Sequence, residues 1–473
     1  MKNIYKTYYK ILICLSILVF GSCSNEFLEI VPKGQLIGEK VVDYDKLFYN
    51  LNLVNLRSAN GQAYLGAEST AFEPFFGNTE LRRQRFFKWE ADVYDNDENM
   101  GELEVTMENL YIYNKIINEI LIATDGTEEQ KRVLQAEAKA GRAWVYFLMV
   151  NYFGMPYNDQ TSSTDLGFPI VTVADLAATD FERATVQENY DLIIKDLTEA
   201  IPDLPTQIDS RFRFTRAAAK GLLGKVYTFM GKFAEARPLL DEALVEQYNI
   251  GIEVGLIDYN EQYERPNAQL DPQNLYGKQI VIAAIANREY ELVVKPEVMA
   301  LYNDNDLRFQ LLYTPSLQSG APIPIDGAYK KNVGTSQSQI GVRVPELYLL
   351  SAEVKCRLND LSGAVDDLEF LRGKRLMPGF SDVPAEIASN REELLRFIFD
   401  ERLREFALEG YHWFDMRRLT VDPDIPTPVS SYTHKIYNAD GSLQDEYQLT
   451  QDRLVVKFSP TVMDQNPNLI NND

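Results

Sequence analysis

Residues 391–419 read REELLRFIFDERLREFALEGYHWFDMRRL, and their spacing decides the fold class. Leu395, Phe399, Leu403 and Phe406 recur at intervals of four, four and three, which stacks them on one face of an α-helix that must be buried. Gly410 can take the left-handed conformation that ends a helix, and Tyr411, Trp413, Phe414 and Met416 crowd a second short turn behind it. The chain therefore folds back here. Between the apolar positions stand Glu401, Arg402, Glu405, Glu409, Asp415, Arg417 and Arg418. Charges of both signs beside two large aromatics predict a partly buried ion-pair network, with Glu401, Arg402, Glu405, Asp415 and Arg418 as its members.

The same helical period runs through most of the chain. In 107–123, Leu110, Tyr113, Ile117 and Ile120 share a face; 128–152 is a further helix, closed by Gly154 and Pro156; in 183–205, Tyr190, Ile194, Leu197 and Ile201 form the buried stripe. Leu47, Leu51 and Val54 give a first stripe in 43–57, and 61–76 reads as irregular and rich in exposed-looking aromatics. Leu223, Gly224, Tyr227, Ala236, Leu240 and Ala243 reproduce the small-residue and apolar spacing of a tetratricopeptide helix pair. Tyr348, Ala352, Ala364, Leu368 and Leu371 repeat most of it, with Leu358-Asn359-Asp360 as the turn. The expected fold is mainly α, a tetratricopeptide-like helical-pair scaffold with pairs near 128–156, 186–204, 215–247 and 344–374 and C-terminal helices over 391–419. Three insertions, 252–278, 287–342 and 421–457, are rich in Pro, Gly, Asn and Asp, with β-like runs such as 279–284 and a hairpin turn at 438–441. These long loops and small β insertions are expected to form the binding face.

The chain has 473 residues, 45% hydrophobic and 25% charged, which is globular and leaves ample material for a core. Its net charge of −23 excludes a duplex-binding protein and nucleic acid as a partner. An acidic surface fits a soluble domain working outside a negatively charged membrane. Lys2, Lys6 and Lys10 precede the apolar run 11–20 and then Gly21-Ser22-Cys23. Residues 1–22 thus read as a secretory leader too short to span a bilayer, and 23–473 as a single domain. Cys14 and Cys23 lie in the leader region, while Cys356 stands alone on a predicted helix and reads as a small buried side chain. If Cys23 is acylated, the mature chain has no disulfide framework. With only His412 and His434, His-rich metal sites and Ser-His-Asp arrangements are disfavoured.

Ile398, Glu401-Arg402, Glu405, Glu409-Gly410, Trp413, Asp415 and Arg418 resemble the C-terminal signature of the SusD/RagB family, outer-membrane lipoproteins that bind nutrients beside a TonB-dependent transporter. Phe20-Gly21-Ser22-Cys23 resembles a lipobox with Cys23 as the lipidated residue, and the following SNEFLEIVP looks like the family's post-cysteine segment. AEAKAGRAWVYFLMVNYFGMP at 136–156, RATVQENYDLIIKDLTEAIPDLP at 183–205, and the closing FSP and NPNL at 458–460 and 466–469 are similar to further family hallmarks. The resemblance implies a surface-exposed, lipid-anchored, non-catalytic protein that needs no cofactor. Such a protein would capture oligosaccharide for a SusC-like TonB-dependent outer-membrane transporter. Some family relatives are peptide receptors, and a surface glycoside hydrolase is the reading from another class.

Several local patterns bear on chemistry. Asp95-Asn96-Asp97-Glu98-Asn99 places oxygen ligands at alternate positions, but the sixth position is Met100 and the twelfth Thr106, so the calcium-loop pattern fails at both diagnostic places and no metal is expected. Glu401 with Glu405 is the tempting acid and base pair. Nothing in the sequence fixes the carboxyl separation that glycoside hydrolysis needs, and their arginine-rich surroundings favour a structural network. Trp144 and Trp413 lie on strongly apolar helices and read as core. For Trp89 two readings stand: a cap on the helical core, or a ring for stacking a sugar. Sugars present C–H faces that pack on rings and hydroxyls that need planar polar partners. On the second reading ligand is held by Arg82, Trp89, Tyr94, Asn96 and Asp97 on one side, with Arg288, Tyr290 and Tyr329 from the 287–342 insertion on the other.

Overall fold

The computed structural model describes residues 38–261, 269–286 and 289–472, so Cys23 and Arg288 lie outside the described residues. It is mainly helical, with 46% helix and 9% strand. The chain separates into two units, Met1–Glu39 and Lys40–Asp473, and the helices and strands named here all belong to the second. Its longer helices are α1 (Gly101–Glu119), α2 (Glu128–Phe153), α3 (Val186–Ala200), α4 (Arg216–Phe229), α5 (Phe233–Glu246), α6 (Val344–Arg357), α7 (Leu361–Gly373), α8 (Arg391–Phe406) and α9 (His412–Leu419). Local signals start them. Thr127 and Gln130 form a capping box on α2, Thr185 and Glu188 form one on α3, and the Thr215 hydroxyl accepts from the Ala218 amide at the head of α4.

Neighbouring helices pack as antiparallel pairs, α2 against α1 and α3, α4 against α5, and α6 against α7. Small residues make this possible: a Cβ at Gly141 would run into the ring of Tyr113, and one at Gly224 into Leu240. The two repeated segments become α4–α5 and α6–α7, and α5 lies directly on α6, so the pairs stack although an insertion of about a hundred residues separates them in the chain. Trp144 and Trp413 sit in the resulting core, 4% and 0% exposed.

Three expectations are corrected. The stripe at 43–57 is not one helix: Asn50 caps a new turn, giving Val41–Leu47 and Leu51–Val54, and Leu51 is 76% exposed. The aromatics of 61–76 are mostly buried, because the segment folds into a helical turn (Gln62–Leu65) and a central strand that bury Tyr64, Phe72 and Phe76. Finally, α8 stops at Phe406, since Leu408 already has φ +60° ahead of Gly410 at +86°. Its deepest face is Leu394, Leu395, Ile398, Glu401, Arg402 and Glu405, with Phe399 and Leu403 only half-buried.

The insertions make small sheets on this base. The largest contains β1 (Ser69–Phe72), β2 (Val293–Val294), β3 (Thr433–Tyr437) and β4 (Leu443–Gln448) in the order β4–β3–β1–β2. β1 runs parallel to β3, with Ala71 opposite Ile436, and antiparallel to β2, with Ser69 opposite Val294; β3 and β4 are a hairpin. Two-residue and three-residue ladders join Gln279–Val281 to Gln337–Gln339, Asn274–Tyr276 to Val342–Arg343, and Tyr313–Thr314 to Lys330–Lys331.

Candidate functional site

At one end of the four-stranded sheet a second, smaller apolar cluster forms from Phe72, Tyr290, Val293, Ile323, Ile325 and Ala328. It is assembled from three segments outside the long helices. The turn after β1 carries Phe75, whose half-buried ring lies 5.2 Å from Phe72 and 5.3 Å from Tyr290. The 289–329 stretch wraps over the cluster, and the β3–β4 hairpin closes it at Gly441, where φ is +83° and a Cβ would collide with the Pro324 carbonyl. Behind the rim, Arg83 pairs with Glu291 at 3.0 Å and lies 5.8 Å over the ring of Tyr64, whose hydroxyl donates to Glu291 at 2.7 Å. This fixes the 289–293 backbone against the helix that follows the turn. Phe75, Asn78, Glu80, Asp326 and Asn438 are partly or fully open to solvent here. A supported ring on segments that also expose amides and carboxylates offers the residue types that pack a sugar face and bond its hydroxyls.

The residues named from the sequence do not converge. Trp89 is 4% exposed; its indole N–H donates to the Leu65 carbonyl at 3.0 Å and its ring stacks on His434 at 4.0 Å. Tyr94 is buried with its hydroxyl on Glu102, and Arg82 donates to the Ser58 carbonyl at 3.0 Å beside the same carboxylate. None of the three presents a face to a ligand, because their polar atoms are satisfied inside the core. Asn96 and Asp97 are exposed, but their loop is held by Thr461, which donates to the Asn96 carbonyl. Tyr290 belongs to the rim, 6% exposed beneath Phe75, whereas half-buried Tyr329 packs on Phe309 at 5.2 Å. Phe75 and the Arg83–Glu291 pair escaped the sequence reading. The signal that could have found them was an aromatic beside a proline in an aperiodic stretch.

The carboxylates on the charged face of α8 are each held by several arginines. Glu401 accepts from Arg308, Arg372 and Arg404 at 2.6, 2.8 and 2.8 Å, and Glu405 from Arg308 and Arg375 at 3.0 and 2.7 Å. Arg402 donates to Asp415 at 2.8 Å, and Arg418 pairs with both Glu353 and Asp415. Burial alone would raise these carboxyls, but Arg404, Arg308 and Arg372 hold Glu401 well below the usual range, and Arg402 and Arg418 hold Asp415 at about 2. A carboxyl so held does not supply a proton at neutral pH. Among the described residues no group of three or more His, Cys, Asp or Glu side chains could hold a metal ion. Cys356 is buried, donates to the Arg391 carbonyl at 3.3 Å, and burial pushes its thiol up to about 11.

Comparisons with known proteins agree with this architecture. Residues 26–228 match a family model described as starch-binding associating with outer membrane, and residues 324–470 match that of the SusD family. SusD-like protein P2 of Formosa agariphila is 25% identical over 356 residues, 64% of this chain and 68% of its own. SusD-like protein P38 of the same organism is 20% identical over 358 residues, 63% of this chain and 68% of its own. Among solved structures, a putative sugar binding protein of Bacteroides vulgatus superposes with a TM-score of 0.69 at 19% identity, over 93% of this chain and 99% of that one. A laminarin binding SusD-like protein superposes at 0.64 with 16% identity, over 92% and 99%. At such identities the structures speak for the fold.

Proposed function

Because the chain belongs to the SusD/RagB family, we propose that it is a surface-exposed, non-catalytic receptor that captures oligosaccharide at the rim of the four-stranded sheet and passes it to a SusC-like TonB-dependent transporter. SusD family proteins are outer-membrane associated, and no helix of the described residues is long and apolar enough to cross a membrane. The anchor in this reading is an acylated Cys23. The observation that carries the proposal is the rim itself, where a half-buried Phe75 ring packs on Phe72 and Tyr290, and the segments that build it also carry the exposed Asn78, Glu80 and Asp326. The saturated state of Glu401 and Glu405 supports binding without hydrolysis. One structural neighbour is described as laminarin binding, which makes laminarin the first glycan to try.

The test is an array of polysaccharides and peptides, followed by titration and product analysis. A receptor that must release its cargo should bind an oligosaccharide at micromolar Kd or weaker, about −8 kcal/mol or less, and leave its chain length unchanged. Phe75→Ala should weaken that binding by about 1 to 3 kcal/mol with the melting temperature preserved. Peptide capture with no glycan bound, or shortening of the glycan, would overturn the reading.

A further inference from the structure

A cleft of about 350 Å3 opens elsewhere in the body, among the helices, and none of its lining residues belongs to the rim. It lies between the chain that leaves α2, the α4–α5 turn and the chain that follows α9. Its apolar wall is Tyr157, Phe229 and Phe233. These rings are fixed: Tyr157 stands edge-on to Tyr190 at 5.0 Å, and the guanidinium of Arg418 lies 4.9 Å from the centre of Phe229 and that of Arg357 5.1 Å from Phe233. Gly231 makes the α4–α5 turn at φ +71° and lines the cleft.

The polar wall is of two kinds. Two of the charges that reach it are already in ion pairs, Arg418 with Glu353 and Asp415, and Asp422 with Arg357 at 2.8 Å. The amides are different. Asn158 uses its carbonyl oxygen to accept the Gln160 backbone N–H at 2.9 Å, which fixes the side chain. Its NH2 and the whole Gln160 amide have no hydrogen-bond partner among the described residues. Asp159 accepts from the Tyr157 hydroxyl at 2.9 Å and keeps further acceptor capacity.

An anion entering the cleft would meet Asp159 and Asp422, and a cation would meet Arg418. A neutral ligand with hydroxyls on its edge and C–H groups on its face meets neither objection and matches both walls. The volume falls at the small end of ligand pockets. We propose that this cleft is a second saccharide subsite, separate from the rim, for a neutral sugar of one or two rings. It stands on its own residues and does not require that the rim binds glycan.

The experiment is saturation-transfer NMR on the full chain with D-glucose, D-galactose and D-mannose as probes at millimolar concentration. Two variants alter the cleft, Val421→Trp, which fills it, and the double variant Asn158→Ala with Gln160→Ala, which removes the unpaired amides from an exposed loop. Phe75→Ala serves as the rim control. The expected result is that at least one hexose gives transfer with the parent, that each cleft variant weakens its binding by about tenfold or more at unchanged melting temperature, and that Phe75→Ala leaves it intact. If a cleft variant fails to fold, crystals of the parent soaked with the binding hexose decide by showing it in the cleft or not. No transfer from any of the three probes overturns the proposal. So does transfer that survives both cleft variants, or that is lost only in Phe75→Ala.

Discussion

His434 sets the character of the region around Trp89. Its imidazole is parallel to Phe87 at 4.1 Å and to Trp89 at 4.0 Å, so the two rings must occupy its opposite faces. Its nitrogens lie 2.5 Å from the Phe87 carbonyl and 2.8 Å from that of Gly66. Trp89 is thus part of a continuous stack, and Trp89→Ala should cost about 3 to 5 kcal/mol of folding stability in a denaturant titration, whereas loss of glycan affinity without loss of stability would return it to the site. From the sequence both readings of Trp89 are open, because the residue that buries it lies more than three hundred positions away. Burial also pushes His434 down to about 4 from 6.5, although both carbonyls pull the other way. The folded-state value lies below the unfolded one, so the neutral ring contributes fully above pH 6.5 and its contribution is lost as pH falls from 6.5 to about 4, roughly 3 kcal/mol in all. His412, also lowered by burial to about 4, acts in the same direction; Glu68, raised by burial to about 7, acts oppositely, losing its contribution as pH rises from 4.5 to about 7. The His434 share is isolated by comparing melting between pH 4 and 7 in the parent and in His434→Gln. The variant should show the shallower dependence, and identical slopes would refute the assignment.

Among the elements, α8 shows why a helix can be read correctly and its face wrongly. Its apolar period is local and announces a helix, but which side is deepest depends on the guanidinium groups that reach it from Arg308, Arg372 and Arg375, none of them on α8. Those positions come from the 287–342 insertion and the end of α7, so the network pins an insertion to the helical base. The interior pair Arg402–Asp415 ties α8 to α9. Arg402→Ala should take one of two cationic partners from each of the buried Asp415 and Glu346 carboxylates, leaving Arg418 and Lys225, and lower stability by about 3 kcal/mol, measured as a drop in the denaturation midpoint. Unchanged stability with lost ligand binding would make Arg402 a site residue instead. The α4–α5 and α6–α7 pairs are legible for the reason the rim is not: Gly224 opposite Leu240 is a contact within one hairpin, while Phe75 meets Tyr290 across more than two hundred residues.

For the molecule as a whole, the proposed anchor and the order of assembly carry the consequences. The leader pattern that ends at Cys23 gives a direct expectation: Cys23→Ala should abolish incorporation of labelled fatty acid and leave the protein unprocessed or soluble, while normal labelling would disprove acylation there. The helical scaffold can form progressively, since most of its pairs are sequence neighbours. The four-stranded sheet cannot. β1 appears at Ser69–Phe72, but its two neighbours are Val293–Val294 and Thr433–Tyr437, and the hairpin that closes the rim at Gly441 comes still later. During synthesis from the N-terminus, β1 therefore waits with both hydrogen-bonding edges open until Val293–Val294 has been made, and with one edge open until Thr433–Tyr437 follows near the end of the chain. The rim is thus the last part of this fold that the growing polypeptide can complete.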